Sequence, residues 1–565
     1  HEAEFIAETN PNDGSSRFLI PDVSPQSNGD VIVAWAATGS RVYTVHRTNH
    51  LPDTNGWTIV HTVSAPRSGA SAVYGSDSRS EQPLLRRSSF PRILKNRTFS
   101  IRRHTTLGYV KRMRYISTRG KTEPMGFMDA VLTGLAPDGG LLIPESIPDV
   151  SSELDAWADL NYPDLAFEVF KRFTDIPEAD LRGLVDRAYS TFHHPEIAPV
   201  VQVGDVYVLE LFHGPTLAFK DMAMQFLSQV YDYVLEQRDE TINILGATSG
   251  DTGSAAIHGV RGKERIRIFM MHPKGRTSPL QEKQMTSVLD DNVFNLAVDG
   301  TFDDCQLIMK SIFADVDFKT EHRLGAVNSV NWCRVLAQIV YYLWAGLKVM
   351  KANGAERVRF AVPTGNFGNI LAGYYAKQIG LPVDRLVLAT NENDILSRFF
   401  NTGVYSQGDV HKTISPSMDI QVASNFERYL YYKVQGDGAL IESLLETFKQ
   451  TGSVTVPDYS EDLFIADSGN TEQTSSVIKH YHDAHDYLMD PHTAVGVYVG
   501  EQHLSDVPMI CVATAHPAKF TAAMIDAIGE EPHHPILDAL ADAETRQSDC
   551  PADENAVRAY IIAHT

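Results

Sequence analysis

The stretch Thr241-Ile-Asn-Ile-Leu-Gly-Ala-Thr-Ser-Gly-Asp-Thr-Gly-Ser254 decides the fold class. It opens with the aliphatic, β-branched texture of a buried strand. It continues through a glycine-rich polar turn into a helix expected to begin near Ser254. A strand that feeds a helix in this way is half of a parallel βαβ unit. The pattern recurs on both sides. Upstream, Val206-Tyr-Val-Leu-Glu-Leu leads to an amphipathic helix expected over 217–235. Downstream, Ile266-Arg-Ile-Phe-Met-Met, Val358-Arg-Phe-Ala-Val, Leu386-Val-Leu-Ala-Thr and Pro508-Met-Ile-Cys-Val-Ala-Thr read as further buried strands. The expected class is α/β, with open parallel sheets and crossover helices.

A second turn of the same kind, Pro363-Thr-Gly-Asn-Phe-Gly-Asn369, also joins a strand to a helix. Neither turn carries the Gly-Lys-Ser/Thr of a P-loop or the G-x-G-x-x-G of a dinucleotide fold. Glycines let successive N–H groups converge, and a helix N-terminus adds positive partial charge. Thr248, Ser249, Thr252 and Ser254 add hydroxyl donors to the first turn. The ordinary alternative is a plain strand–helix connection. Two such turns at the carboxyl ends of strands point instead to two phosphates, one on a cofactor and one on a substrate.

Lys220 lies in His213-Gly-Pro-Thr-Leu-Ala-Phe-Lys-Asp-Met-Ala. Thr216 is expected to cap a helix running through Met222, Phe226 and Val230. That places Lys220 in the first or second turn, where the helix dipole disfavours a cation. Leu217, Ala218, Phe219, Met222 and Ala223 around it are apolar. A desolvated lysine is a usable amine nucleophile or base. Alone, it would read as a surface lysine paired with Asp221. Beside two phosphate cradles, it reads as the Schiff-base lysine of a pyridoxal phosphate enzyme.

Composition narrows the partners. The 565 residues carry a net charge of −22, unevenly distributed. Residues 1–112 hold 14 Lys and Arg against 9 Asp and Glu, a net of +5, and 113–565 hold 35 against 62, a net of −27. The first methionine is Met113. A strongly acidic body disfavours nucleic acid as a partner. No run reaches the roughly 20 apolar residues of a membrane span. Cys305, Cys333, Cys511 and Cys550 form no C-x-x-C pair, and free thiols fit a reducing cytoplasm. His480-Tyr-His-Asp-Ala-His-Asp has metal-like spacing, but its polarity marks an exposed helix face, so no metal is expected.

Taken together, these segments resemble the threonine synthase family, in the longer class of bacteria and fungi. The resemblance runs from about Met113 to about Phe520. In order, it rests on Gly126-Phe-Met-Asp-Ala-Val-Leu-Thr-Gly-Leu-Ala-Pro-Asp-Gly-Gly-Leu-Leu-Ile-Pro-Glu, Glu210-Leu-Phe-His-Gly-Pro-Thr-Leu-Ala-Phe-Lys-Asp and Ala247-Thr-Ser-Gly-Asp-Thr-Gly-Ser. It continues through Ser278-Pro-Leu-Gln-Glu, Asn328-Ser-Val-Asn and Pro363-Thr-Gly-Asn-Phe-Gly-Asn, then Asp490-Pro-His-Thr-Ala-Val-Gly and Thr514-Ala-His-Pro-Ala-Lys-Phe.

The resemblance implies a fold-type II pyridoxal phosphate enzyme, similar to the tryptophan synthase β chain, with an N-terminal domain covering the site. Lys220 would carry the cofactor and supply the catalytic amine. Gly365, Asn366, Phe367, Gly368 and Asn369 would hold the cofactor phosphate, and Thr514 the pyridine nitrogen. Thr248, Ser249, Asp251, Thr252, Lys274, Arg276, Asn331 and Arg334 would face the substrate, with Asp251 orienting neighbours instead of touching phosphate. The implied reaction turns O-phospho-L-homoserine and water into L-threonine and phosphate, carried out by a monomer or homodimer. A phospholyase or hydroxy-amino-acid dehydratase on the same fold is the competing enzyme reading.

The expected organisation is a β-rich extension or module fragment over 1–80, a basic linker over 81–112 and a family N-terminal domain over 113–200. An α/β domain with the lysine follows over 201–350, a second α/β domain over 351–530 and a tail over 531–565. Residues 86–114 hold ten Lys and Arg and no acid. The extension reads as a surface-type β-sandwich segment or, preferably, as the remnant of a neighbouring reading frame. A chain starting at Met113 is therefore expected to fold and bind the cofactor as the full chain does. Circular dichroism and visible absorbance check this, and loss of either would show that 1–112 is needed.

Overall fold

Parallel strands buried on both faces need nearly continuous apolar runs. The segments singled out above form such strands in two sheets of the computed structural model. The structure describes residues 113–565, together with the backbone of short strands within 1–112. One sheet has the order Phe464–Ser468, Val383–Thr390, Val358–Pro363, Met509–Ala513, Val206–Glu210, Val200–Val203. Its pairs are all parallel except the last, an antiparallel hairpin. The other sheet has the order Leu324–Gly325, Ile242–Ala247, Ile266–Pro273, Val293–Asp299, Ser548–Pro551, all parallel.

Sheet membership differs from the sequence blocks 201–350 and 351–530. Val206–Glu210 precedes the lysine in sequence but pairs with Met509–Ala513, in the sheet of the second block. The segment 531–565, expected as a C-terminal tail, carries a strand and a helix packed on the other sheet. Ser548–Pro551 extends the other sheet beside Val293–Asp299, and Val557 and Ile561 of the helix Glu554–His564 are buried. Strand order is a long-range property that local periodicity does not carry.

The helix Trp332–Asn353 is apolar nearly all the way round and buried along most of its length. A helix of that kind belongs in a core. It packs against Lys220–Arg238, Gly368–Gln378 and Tyr162–Phe173. Through it the N-terminal segment docks on the body. Tyr115–Ser117 pairs antiparallel with Leu142–Pro144. Tyr115 accepts a hydrogen bond from Trp332 Nε1 at 2.9 Å and donates to the Phe173 carbonyl at 2.7 Å. Arg428 is fully buried. It donates to the Leu142 carbonyl through Nε and Nη2, each at 3.0 Å, to Asn425 Oδ1 at 2.6 Å, and to the Val330 carbonyl.

Within 1–112, Val31–Ala36 pairs antiparallel with Asp22–Pro25 and with Ser71–Tyr74, and Val42–Arg47 pairs antiparallel with Thr58–Ser64. Strands expected there are thus present. His1–Gly108 and Tyr109–Thr565 form separate compact units. The linker expected over 81–112 lies outside the described residues.

Removing the Arg428 guanidinium strands several buried acceptors at once. An unsatisfied buried polar group costs about 1–3 kcal/mol. Arg428→Met is expected to destabilise the body by about 3–5 kcal/mol, read as a lower urea midpoint at unchanged slope.

Candidate active site

Three loops leave adjacent parallel strands on the same edge of the larger sheet. They run from Glu210 to Lys220, from Pro363 to Gly368 and from Ala513 to Phe520. Parallel strands end together, so these loops gather where open α/β sheets bind ligands.

Lys220 is the first residue of its helix, Lys220–Arg238. Thr216 does not cap that helix as expected. Leu217 turns the chain through the left-handed region (φ 58°). Thr216 instead clamps Asp221, giving its N–H to Oδ2 and its hydroxyl to Oδ1, each at 2.8 Å. Burial pushes the Asp221 carboxyl up to about 6 against those two bonds. The loop is stitched to the third one. Phe219 N–H donates to the Thr514 carbonyl at 2.8 Å and His516 N–H to the Leu217 carbonyl at 3.0 Å.

The Lys220 side chain is 12% exposed, and its Nζ donates to Asp251 Oδ2 at 3.3 Å. Burial holds the amine below the usual lysine range. Asp251 opposes this, while Lys519 and Arg334 reinforce it. Asp251 has further partners. Its Oδ1 accepts from Lys519 Nζ at 2.8 Å and from Gln281 Nε2 at 2.8 Å. Burial would raise its carboxyl, but Lys519 and Lys220 outweigh burial and hold it well below the carboxylate range.

The first glycine-rich turn, at the start of the helix Asp251–Val260, is braced from within. Thr248 Oγ1 accepts from Gly250 N–H at 3.0 Å and Gly253 N–H at 2.9 Å, so this hydroxyl serves the turn itself. Gly250 has φ 153°, and a Cβ there would lie 2.3 Å from Gln281 Oε1. Ser249 is exposed, and Thr252 is half-buried at the helix start. In the second turn Phe367 adopts the left-handed conformation (φ 63°) and no side chain caps the helix Gly368–Gln378. A Cβ on Gly365 would lie 2.7 Å from the Ser417 carbonyl. Asn366 is held through its carbonyl by Asn425. Asn369 Oδ1 accepts from Tyr341 and Tyr342, while its buried Nδ2 has no partner.

Thr514 is buried, its N–H bonded to Thr493 Oγ1 at 3.1 Å. Asp490 supports this side. It binds the Thr493 hydroxyl and, at 2.8 Å, His492 Nδ1, while His492 Nε2 accepts from Ser417 N–H at 3.1 Å.

The remaining expected residues separate. Arg334 is 5% exposed, and its Nε and Nη1 have no hydrogen-bond partner. Asn331 is fully buried and caps the helix Trp332–Asn353, with its Nδ2 on the Val131 carbonyl at 2.8 Å. Lys274 is exposed and paired with Asp549 at 2.6 Å, and Arg276 is exposed. Sequence reasoning missed Lys519, Gln281 and His492. All three stand inside motifs quoted above, and an isolated lysine between Pro-Ala and Phe was the available signal. In the stretch 480–486, His480 and His485 are exposed and His482 pairs with Asp483. Among the described residues no group of three or more His, Cys, Asp or Glu could hold a metal ion.

These features define a pyridoxal phosphate enzyme of the α/β fold-type II class. Residues 191–453 match the family model "Pyridoxal-phosphate dependent enzyme". Residues 114–189 match "Threonine synthase N terminus" and 493–561 match "Threonine synthase, C-terminal". The threonine synthase of Schizosaccharomyces pombe is 47% identical over 453 residues, covering 73% of this chain and 88% of that protein. That of Corynebacterium glutamicum is 45% identical, covering 80% and 98%. The crystal structure of a PLP-bound threonine synthase from Brucella melitensis aligns with TM-score 0.77 at 44% identity, over 80% of this chain and 99% of that one. The yeast threonine synthase structure aligns with TM-score 0.77 at 40% identity, over 81% and 99%. The chain belongs to the threonine synthase family.

Electrostatics around the site set its acid stability. Burial first, then neighbouring positive charge, lowers His258 and His516 to about 4. Unfolded, both titrate near ~6.5. The folded chain therefore binds fewer protons between those values, and stability is lost as pH falls through that window. Asp221, raised to about 6, works in the opposite sense but is a single group. The thermal midpoint is expected to fall from pH 6.5 to 4. His258→Gln should reduce that fall by on the order of 1–2 kcal/mol at pH 5, measured by calorimetry.

Proposed function

We propose that the chain converts O-phospho-L-homoserine and water into L-threonine and phosphate, with Lys220 as the catalytic amine. The observation that carries this reading is the setting of Lys220. A nearly enclosed amine with a depressed pKa faces a buried guanidinium, that of Arg334, whose Nε and Nη1 have no hydrogen-bond partner. Two glycine-built helix starts supply further donors.

The residues present fit pyridoxal phosphate. The start of Gly368–Gln378 offers backbone N–H groups that no side chain caps, and Asn369 Nδ2 is buried and unpartnered. Gly365, Asn366, Phe367, Gly368 and Asn369 would hold the cofactor phosphate, Thr514 the pyridine nitrogen and Lys220 the reactive carbon. When bound, the cofactor supplies a sink for electrons released at the substrate Cα.

The chain's own residues do the rest. Lys220 Nζ takes the Cα proton and moves protons at Cβ and Cγ. Arg334, with Ser249 and Thr252 at the start of Asp251–Val260, binds the substrate phosphate and stabilises it as it leaves Cγ with the bonding electrons. Hydroxide from water adds at Cβ, the water's proton passes to a neighbouring base, and Lys220 Nζ returns a proton to Cα. Thr248 keeps the turn in shape, Asn331 holds the helix that carries Arg334, and Asp251 orients Lys220. Lys274 and Arg276, both exposed, act in attraction of the phosphorylated substrate. Four buried free cysteines support a cytoplasmic setting. No helix of the described residues is long and apolar enough to cross a membrane.

Product analysis with O-phosphohomoserine is expected to give threonine and phosphate in equal amounts, and 2-oxobutyrate without threonine would overturn the reading. Lys220→Ala should abolish the visible band of lysine-bound cofactor. Arg334→Met should raise KM for the phosphorylated substrate at least tenfold, a loss of about 1.4 kcal/mol.

A further inference from the structure

Lys519 lies in the turn Pro517–Phe520, outside both glycine-rich loops in sequence. Its ammonium is completely enclosed, with a side-chain exposure of 0%. It makes two bonds, to Asp251 Oδ1 at 2.8 Å and to the Thr216 carbonyl at 2.7 Å. Asp251 therefore stands between two lysines, with Lys220 on the other oxygen at 3.3 Å.

Charge counting shows the consequence. Lys519 and Asp251 form a neutral pair, and a neutral Lys220 adds no charge to it. A protonated Lys220 adds an unbalanced buried charge, which low-dielectric surroundings penalise. Without the Lys519 charge the balance reverses, because Asp251 would then be neutralised only by a protonated Lys220. Asp221, at the start of Lys220–Arg238, and His258, on Asp251–Val260, also face Lys519; both stay in place in every variant below, so the sign of the shift rests on Lys519 and Asp251. Arg334, on Trp332–Asn353, disfavours a charged Lys220. His492, on Pro491–Glu501, faces Asp251, and its ring is bonded on both sides by Asp490 and Ser417. Gln281 adds a neutral donor to Asp251.

We propose that Lys519 is a positioning residue: it engages the Asp251 carboxylate so that Lys220 remains available as a base. The proposal rests on Lys220 being the catalytic amine. It assigns a role to the close of the segment Thr514-Ala-His-Pro-Ala-Lys-Phe, beyond Thr514 itself.

The test uses the holoenzyme. One reads the pH midpoint at which the visible band of lysine-bound cofactor changes, and the acid limb of kcat. Lys519→Met should raise both midpoints by about one unit or more, a roughly tenfold loss of free amine below the midpoint. Lys519→Arg should restore them. Asp251→Asn should lower them, because Lys519 then acts on Lys220 unopposed, and the double variant should return towards the original values. If Lys519→Met does not fold, Lys519→Gln, which keeps a donor for the Thr216 carbonyl but not the charge, takes its place and should raise the midpoints in the same way. Unchanged midpoints in the folded variants would overturn the proposal. A band that survives in Lys220→Ala would instead overturn the reading of Lys220, so the two failures are distinct.

Discussion

One carboxylate shared by two lysines organises this protein. Asp251 sits at a helix N-terminus, enclosed, with Lys519 on one oxygen and Lys220 on the other. A buried charge persists only when it is paired and hydrogen-bonded. Each partner must therefore arrive from its own element at near-contact distance. Asp251 comes from the end of a strand in the smaller sheet. Lys220 follows an edge-side strand of the larger sheet, and Lys519 follows the neighbouring strand. The contact thus also joins segments that follow the carboxyl ends of strands in the two sheets.

The remaining architecture supplies rigidity around that contact. Thr216 serves both lysines. Its hydroxyl and N–H hold Asp221, next to Lys220, and its carbonyl accepts from Lys519 and from Gln284 Nε2. The Asp490 carboxylate does the same on the opposite flank, linking Thr514 through Thr493 and the Ser417 segment through His492. Ser417 in turn closes against Gly365, where no side chain fits. Behind all of this, Trp332–Asn353 ties the N-terminal segment to the body and carries Arg334.

Much of this was legible in the sequence. The buried strands from Val206 to Met509 announced themselves by continuous aliphatic runs, and both glycine-rich turns by composition. Lys220 stood out because a cation among apolar neighbours at a helix start is locally unfavourable. What could not be read was partnership. Thr216 has the composition of an N-cap, yet Leu217 breaks the backbone after it and its hydroxyl turns to Asp221. Thr248 reads as a ligand donor, yet its oxygen is committed to Gly250 and Gly253. Asn331 reads as a substrate contact and caps a helix. In each case a polar residue's chemistry was evident and the identity of its partner was not.

By itself, the sequence determined the α/β class and marked out the two glycine-rich turns and a lysine among apolar neighbours, because strand burial, turn composition and helix-start chemistry are local properties. Only the tertiary structure decided which sheet each strand joins, that 548–551 closes the smaller sheet, and that Lys519 reaches Asp251. Those contacts join segments far apart in sequence; Lys519 and Thr216 are separated by 303 residues. Pairing at such range is selected by the cost of burying charges and backbone groups without partners, and no local pattern records it.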